Sequence, residues 1–259
     1  MNKEEKYNEI QKYNELSARK WDDIKDPGTY DYRLIEYPFG TRKVAIASDR
    51  TKILQAARGQ AFGTDVDSYE SYVEKYKKDS NEFHEFDKFR ALEILSLQEK
   101  NHLKLDKEKF FYEYGFRSTA VLSFWKNYFN NAKGCDVVNP CVNASRDLGY
   151  DTELIDLNMQ VPNLDNVGLL GAYHVLEHLS DPFDVIKRTY DALPYDAIFH
   201  VEIPIEPDGP RIRYGHLFPF HTGDLYSMLI HTGFQVIGYT DKSLPGGPAI
   251  ERAVAIKKG

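Results

Sequence analysis

The chain has 259 residues, a formal net charge of −7 and a hydrophobic content of 42%. Its length allows one large domain or a catalytic domain with an appendage, and its acidity argues against a nucleic-acid partner, which requires a basic stripe. Two cysteines, Cys135 and Cys141, are too few for a disulfide framework, and no window approaches 18 continuous apolar residues. We therefore expect a cytoplasmic protein with reduced thiols and no membrane partner.

The first hundred residues are charged and show helical spacing in two places. Apolar side chains recur at intervals of three within residues 7–16, and again within residues 83–97. Two short β-like pieces, at 33–37 and 43–47, lie between Gly and Pro breaks. We predict a mostly helical extension over residues 1–105 that caps the site or forms a homodimer contact, followed by a second domain at 106–259.

From residue 109 onward, short apolar runs alternate with amphipathic segments. The predicted strands cover residues 109–114, 134–138, 152–157, 168–173, 197–203, 234–240 and 249–256. The predicted helices cover residues 118–131, 144–148, 182–193 and 222–231. This alternation predicts an α/β fold with a mostly parallel sheet and helices on both of its faces.

The run at 167–173 is apolar throughout, which is typical of a strand buried on both faces of a parallel sheet. It changes at Tyr173-His174 into a polar cluster that stops at Asp181-Pro182. A buried strand that ends in polar groups lies where open α/β sheets bind their ligands. We therefore expect the binding site at this end of the strand.

The segment His174-Val-Leu-Glu-His178-Leu-Ser-Asp-Pro resembles the segment after the fourth strand of class I S-adenosylmethionine-dependent methyltransferases. The stretch Gly215-His216-Leu-Phe-Pro-Phe220, followed by a predicted helix and Gly233-Phe234, resembles the end of their domain. The resemblance covers about residues 109–259. It implies a Rossmann-like seven-stranded sheet with only the last strand antiparallel, S-adenosylmethionine as cofactor, and methyl transfer as the reaction.

The first motif of that family is an acidic residue followed by Gly-x-Gly-x-Gly. Glu113 and Gly115 match it, whereas Arg117 and Thr119 replace the second and third glycines. The resemblance implies that Glu113, Gly115, Arg117 and Ser118 line the cofactor, with Ser118 also able to cap the next helix. A second alignment would place the first strand at 135–139, but it leaves little chain for the first helix and offers no glycine in the turn.

In the first alignment, four further residues are expected at the cofactor. Asn139 stands where the family usually has an acid for the ribose hydroxyls, and Asp156 where an acid often meets the adenine amino group. Tyr173 and His174 would touch the methionine or sulfonium side.

The acceptor has to lose a proton when its oxygen or nitrogen attacks. His178 is the first candidate for the general base, because imidazole titrates near neutral pH; His216 and His221 are the alternatives. Arg211, Arg213 and Tyr214 lie in a Pro/Gly-rich loop at 204–221 and could bind a phosphate or carboxylate of the acceptor. The leading hypothesis is methyl transfer to a small polar acceptor, such as a sugar or sugar nucleotide, without a bound metal.

Two other functions remain open. His174, Glu177 and His178 also match H-x-x-E-H, the signature of a metal-dependent hydrolase, which requires both histidines on one helical face. Some relatives bind a divalent ion at a Glu/His cluster here, which His216 or His221 could complete. The missing glycines also allow a non-catalytic binding protein on the same fold.

Overall fold

The computed structural model describes residues 30–47, 73–74, 85–116, 118–206, 215–241 and 249–259. Its strands are β1 Tyr30–Tyr37, β2 Gly40–Ala47, β3 Phe110–Tyr114, β4 Asn131–Asp136, β5 Asp151–Leu154, β6 Val167–Tyr173, β7 Ile198–Pro204, β8 Gln235–Thr240 and β9 Ile250–Ile256. Its helices are α1 Glu85–Glu99, α2 Ala120–Trp125, α3 Asn139–Asp147, α4 Pro182–Ala192 and α5 Asp224–Thr232, with a 3₁₀ turn at Leu176–His178.

Seven strands form one sheet in the order β5-β4-β3-β6-β7-β9-β8. Strand β9 runs antiparallel to both of its neighbours, and the remaining pairs are parallel. The predicted α/β class and the single antiparallel strand are therefore confirmed. Among the strands of this sheet, β3 comes first in the chain and lies between β4 and β6, so residues 110–114 form the first strand of the sheet and the alternative start at 135–139 is wrong.

Side chains alternate between the two faces of the sheet along each strand. Helices cover both of these faces. Phe111 packs into a core with α1, α2 and α3, whereas its neighbour Tyr112 packs into the opposite core with α4 and α5. Both cores are closely filled by buried aromatic and branched side chains. The strand ends are thereby held in fixed positions.

The boundaries around β4 differ from the sequence prediction. The strand ends at Asp136 rather than at residue 138, and α3 begins at Asn139 rather than at residue 144. Asp136 Oδ1 accepts a hydrogen bond from the Val138 amide at 2.9 Å, which turns the chain away from the sheet. Pro140 then lies in the first turn of α3, where its missing N–H leaves no helical bond unmade.

The predicted β-like pieces of the N-terminal extension pair as the antiparallel hairpin β1-β2. The hairpin packs on the segment that follows the loop after β7: the Ala45 amide donates to the Leu217 carbonyl at 2.9 Å, and Arg42 forms a buried ion pair with Asp224. The helix predicted within residues 7–16 lies outside the described residues. The division at residue 105 remains a prediction.

None of the helices that the structure describes is both long enough and apolar enough to cross a membrane. Cys135 and Cys141 are both buried and are not joined by a disulfide.

Candidate functional site

The carboxyl ends of the parallel strands β3 to β7 meet at one edge of the sheet. Acidic and aromatic side chains gather there, at or just after the strand ends. Open α/β sheets bind ligands at this edge, where the strand order reverses. Here the reversal lies between β3 and β6, because the chain first adds strands on one side of β3 and then on the other.

Strand β3 ends with Glu113 and Tyr114, and the turn that follows begins at Gly115. Gly115 has a φ of +61°, and its amide donates to the Cys135 carbonyl at 2.8 Å. Glu113 and Thr119 are buried, and within the described residues Glu113 Oε2 and Thr119 Oγ1 have no hydrogen-bond partner. Ser118 Oγ accepts weakly from the Ala120 amide, at 3.4 Å. Arg117 lies outside the described residues.

We expect Gly115→Ala to lower the free energy of unfolding more than a matched glycine replacement. A Cβ at residue 115 would lie 2.6 Å from Val175 Cγ2, whereas a Cβ at Gly149, whose φ is +83°, would meet nothing within 4 Å. Both variants incur the left-handed backbone cost of about 1–2 kcal/mol, and crowding adds about 1–3 kcal/mol at residue 115 alone. Urea unfolding of Gly115→Ala and Gly149→Ala measures the difference, and equal losses would contradict the close approach of Val175.

Glu113 lies in an acidic environment. Burial raises its pKa well above the usual value, and the charges of Asp87 and Asp136 raise it further, while Arg90 opposes the shift. Removing water from a carboxylate beside other carboxylates disfavours its ionised form. A positively charged ligand at this edge would therefore be stabilised by Glu113 and Asp136.

The structure places the acidic residues of the next two strands differently from expectation. Asp136 is buried at the end of β4, the strand end at which the sequence analysis expected Asn139, whereas Asn139 is already the first residue of α3. Asp156 lies two residues beyond β5, where its Oδ1 accepts from the Asn158 amide at 3.0 Å. Sequence reasoning missed Asp136 because it extended β4 by two residues.

His174 follows β6 with a φ of +55°, a conformation that residues other than glycine seldom adopt. Its Nδ1 lies 3.3 Å from Glu177 Oε1 and its Nε2 lies 3.1 Å from Glu202 Oε1. Burial lowers the pKa of His174, but the contacts with Glu177 and Glu202 outweigh burial and raise it to about 9. Two carboxylates thus hold this imidazole in a fixed orientation.

Glu202, near the end of β7, is the centre of an ionic network that the sequence did not reveal. Arg90 from α1 contacts Glu202 Oε1, and Arg252 Nη1 from β9 lies 2.6 Å from Glu202 Oε2. Burial raises the pKa of Glu202, but the contacts with His174 and Arg90 outweigh burial and hold the pKa well below the usual range. The available signal was a glutamate within an apolar strand that no motif explained.

The same network continues to Tyr173. Glu93 Oε2 lies 2.5 Å from Arg252 Nε and 3.2 Å from His200 Nε2. Since the carboxylate accepts, His200 Nε2 donates, and His200 Nδ1 accepts from the Tyr173 hydroxyl at 2.9 Å. The guanidinium of Arg90 lies over the Tyr173 ring, 4.5 Å from its centroid. Helix α1 therefore positions Tyr173 at the site.

The 3₁₀ turn brings Glu177 and His178 together with His216 from the loop after β7. One ligand-type atom from each of these residues lies within 4.8 Å of the others. His174 directly follows β6 and His178 ends a three-residue 3₁₀ turn, so the two histidines do not share an α-helical face. The H-x-x-E-H interpretation is wrong in this respect.

Of the two loop histidines in the sequence prediction, His216 belongs to this cluster and His221 does not. His178 and His216 stack edge to face with ring centroids 4.8 Å apart. His221 lies outside the cluster, and its backbone amide donates to Asp224 Oδ2 at 2.8 Å at the start of α5. Arg211, Arg213 and Tyr214 lie outside the described residues.

Comparison with solved structures shows the same fold at low sequence identity. A methyltransferase described as S-adenosylmethionine-dependent, from Clostridium acetobutylicum, matches with a TM-score of 0.52 and 12% identity, covering 74% of this chain and 99% of its own. A complex of the Haloferax volcanii Trm112 methyltransferase activator with a methyltransferase matches with a TM-score of 0.51 and 10% identity, covering 68% and 99%. The [4+2]-cyclase SpnF matches with a TM-score of 0.52 and 17% identity, covering 65% and 80%.

No protein-family model and no curated protein sequence matches the chain. The sheet order and the antiparallel strand β9 nevertheless agree with the fold of the matched structures. The part of this chain that contains the seven-stranded sheet has the fold of class I S-adenosylmethionine-dependent methyltransferases.

Proposed function

We propose that this protein uses S-adenosylmethionine to methylate an oxygen or nitrogen of a small polar acceptor. The observation that supports the proposal best is the pair of buried acids at the ends of adjacent strands, Glu113 on β3 and Asp136 on β4. They lie at the edge where this fold binds ligands. The fold alone does not decide the reaction, since one of its structural neighbours is a [4+2]-cyclase.

The residues present fit this cofactor. S-adenosylmethionine has a sulfonium and an ammonium against one carboxylate, so its net charge is positive. The raised pKa of Glu113 and its orphaned Oε2 indicate a carboxylate that a cationic ligand would stabilise. We assign Glu113 to the methionine end, Asp136 to the ribose hydroxyls and Asp156 to the adenine amino group.

When bound, the cofactor supplies an electrophilic methyl group. The protein's own part is to orient the acceptor and to remove its proton. His174 is held by two carboxylates, whereas Glu177, His178 and His216 form a separate cluster at the same edge. We assign the acceptor's proton to this cluster, and we assign Arg211, Arg213 and Tyr214 to recognition of an anionic group on the acceptor.

We expect S-adenosylhomocysteine, the product form of the cofactor, to bind with a Kd in the micromolar range. A ligand present at about 100 times its Kd should stabilise the folded protein by about 2.7 kcal/mol, seen as a higher Tm. Isothermal titration calorimetry gives the Kd and the stoichiometry. Absence of both heat and a Tm shift at millimolar ligand would contradict the proposal.

A transfer assay then separates an enzyme from a binding protein. Tritiated S-adenosylmethionine is incubated with pools of sugars, sugar nucleotides and other small hydroxyl or amine compounds. Labelled product supports the enzyme, whereas tight cofactor binding without transfer to any pool would favour the non-catalytic alternative.

A further inference from the structure

We propose that Glu177, His178 and His216 form a binding site for a divalent first-row transition metal, with Zn²⁺ as the reference ion. The three residues provide one carboxylate and two imidazoles, a donor set that suits such ions. Their ligand-type atoms lie within 4.8 Å of one another. Metal–ligand bonds of about 2.0–2.2 Å require spacings of roughly 3–4 Å, so small side-chain movements would complete the site.

Glu177 is a buried carboxylate whose ion pair with His174 involves Oε1 and leaves Oε2 without a hydrogen-bond partner among the described residues. The residue is fully buried, and neither carboxylate oxygen accepts a hydrogen bond from any described residue. His174 Nδ1 lies 3.3 Å from Oε1, close enough for an ion pair but not aligned as a hydrogen bond. A buried carboxylate without hydrogen bonds is costly, and buried charges are normally paired or bound to a metal.

Both histidines have the outer contacts that metal-binding imidazoles need. His178 Nδ1 lies 2.8 Å from the Gly215 carbonyl oxygen, which can only accept, so Nδ1 carries the proton. His216 Nδ1 lies 2.6 Å from Glu206 Oε2, a carboxylate–histidine pair of the kind that orients metal ligands. A neutral imidazole protonated on Nδ1 has its lone pair on Nε2, the atom that would bind the ion.

Three protein ligands leave at least one position for water or for the acceptor. In that position an ion would bind an acceptor oxygen and lower the pKa of its proton, and the proton would pass to solvent because both imidazoles of the cluster hold the ion. This role rests on the proposed function, but metal binding does not depend on it. The two can therefore be tested separately.

The test is a titration of metal-free full-length protein with Zn²⁺, followed by calorimetry and by elemental analysis after desalting. We expect one equivalent per chain for the unmodified protein. Co²⁺ should give the visible absorption of a four- or five-coordinate ion with nitrogen and oxygen ligands. No stoichiometric binding of either ion would overturn the proposal.

Variants locate the ion. Glu177→Gln and His216→Gln should each weaken Zn²⁺ binding at least 100-fold, and Glu206→Gln, which removes an outer partner, should weaken it about 10–100-fold. His221→Gln is the matched control and should bind Zn²⁺ like the unmodified protein, because His221 lies in the same segment but outside the cluster. If Glu177→Gln fails to fold, His216→Gln and Glu206→Gln still provide the test.

S-adenosylhomocysteine binding is measured on every variant. Lost Zn²⁺ binding with retained S-adenosylhomocysteine binding supports a metal site distinct from the cofactor site. Zn²⁺ binding that is weakened by none of the variants Glu177→Gln, His216→Gln and Glu206→Gln would overturn the site. Zn²⁺ binding at these residues without any S-adenosylhomocysteine binding would uphold the metal site and contradict the proposed function.

Discussion

Replacement of Glu202 by Leu is expected to lower the free energy of unfolding by about 3–5 kcal/mol, the usual cost of breaking a buried ion pair from one side. Glu202 is almost completely buried on β7 and contacts Arg90, Arg252 and His174. Leu fills a similar volume, so the loss comes from Arg90, Arg252 and His174, each of which loses one carboxylate partner. Urea unfolding followed by circular dichroism measures the effect.

The control for Glu202→Leu is an exposed ion pair. Asp196 lies 2.9 Å from Lys258 Nζ with most of its side chain in water, and its φ of +63° is one that Asn tolerates. Asp196→Asn should change the free energy of unfolding by at most about 1 kcal/mol, because solvent screens surface pairs. Similar losses in the two variants would show that the network around Glu202 does not stabilise the fold.

Asp136→Asn is expected to weaken S-adenosylhomocysteine binding about 10–100-fold, since a hydrogen bond to a charged group contributes about 1.5–3 kcal/mol. Asn keeps the Oδ1 acceptor, so the 2.9 Å hydrogen bond from the Val138 amide and the end of β4 are preserved. The variant therefore removes the charge while leaving the local backbone intact. Isothermal titration calorimetry at constant pH measures the change.

Asn139→Ala is the matched comparison, because sequence reasoning gave Asn139 the ribose contact. As the first residue of α3, it should leave the affinity for S-adenosylhomocysteine within about twofold of the unmodified protein. The reverse pattern, with Asn139→Ala weak and Asp136→Asn unchanged, would contradict the assignment of Asp136. Circular dichroism and the Tm of both variants show whether the fold is retained.

The local pattern of apolar and polar residues predicted the α/β class of the fold and the sheet edge at which we expect the binding site. The sequence showed where β6 ends, because a strand buried on both faces has no polar residue until it leaves the sheet. The apolar run forms the strand, and the polar cluster follows it. The alternation of predicted strands and helices after residue 109 predicted a sheet with helices on both of its faces. Glu113 was placed in the first strand and Gly115 in the turn after it, where the structure has them.

Strand ends were less accurate, and the error had consequences for the site. Val137 and Val138 extend the apolar pattern of β4, so the sequence favoured a longer strand. The Asp136 side chain instead bonds to the Val138 amide and ends the strand two residues earlier. A side chain that bonds to its own backbone competes with the sheet, and this competition is not visible in hydrophobic periodicity.

The sequence by itself determined the α/β fold, the sheet edge at which open α/β sheets bind ligands, and the grouping of His174, Glu177 and His178 within five residues. Only the tertiary structure decided which groups share that edge. Arg90 and Glu93 on α1, Glu202 on β7 and Arg252 on β9 are distant in the chain and meet through packing. His216 reaches Glu177 and His178 because the loop after β7 returns to the 3₁₀ turn, where the Leu217 amide donates to the Glu177 carbonyl at 2.7 Å. Such long-range contacts follow from burial of the two cores rather than from local spacing, so no short motif contains them.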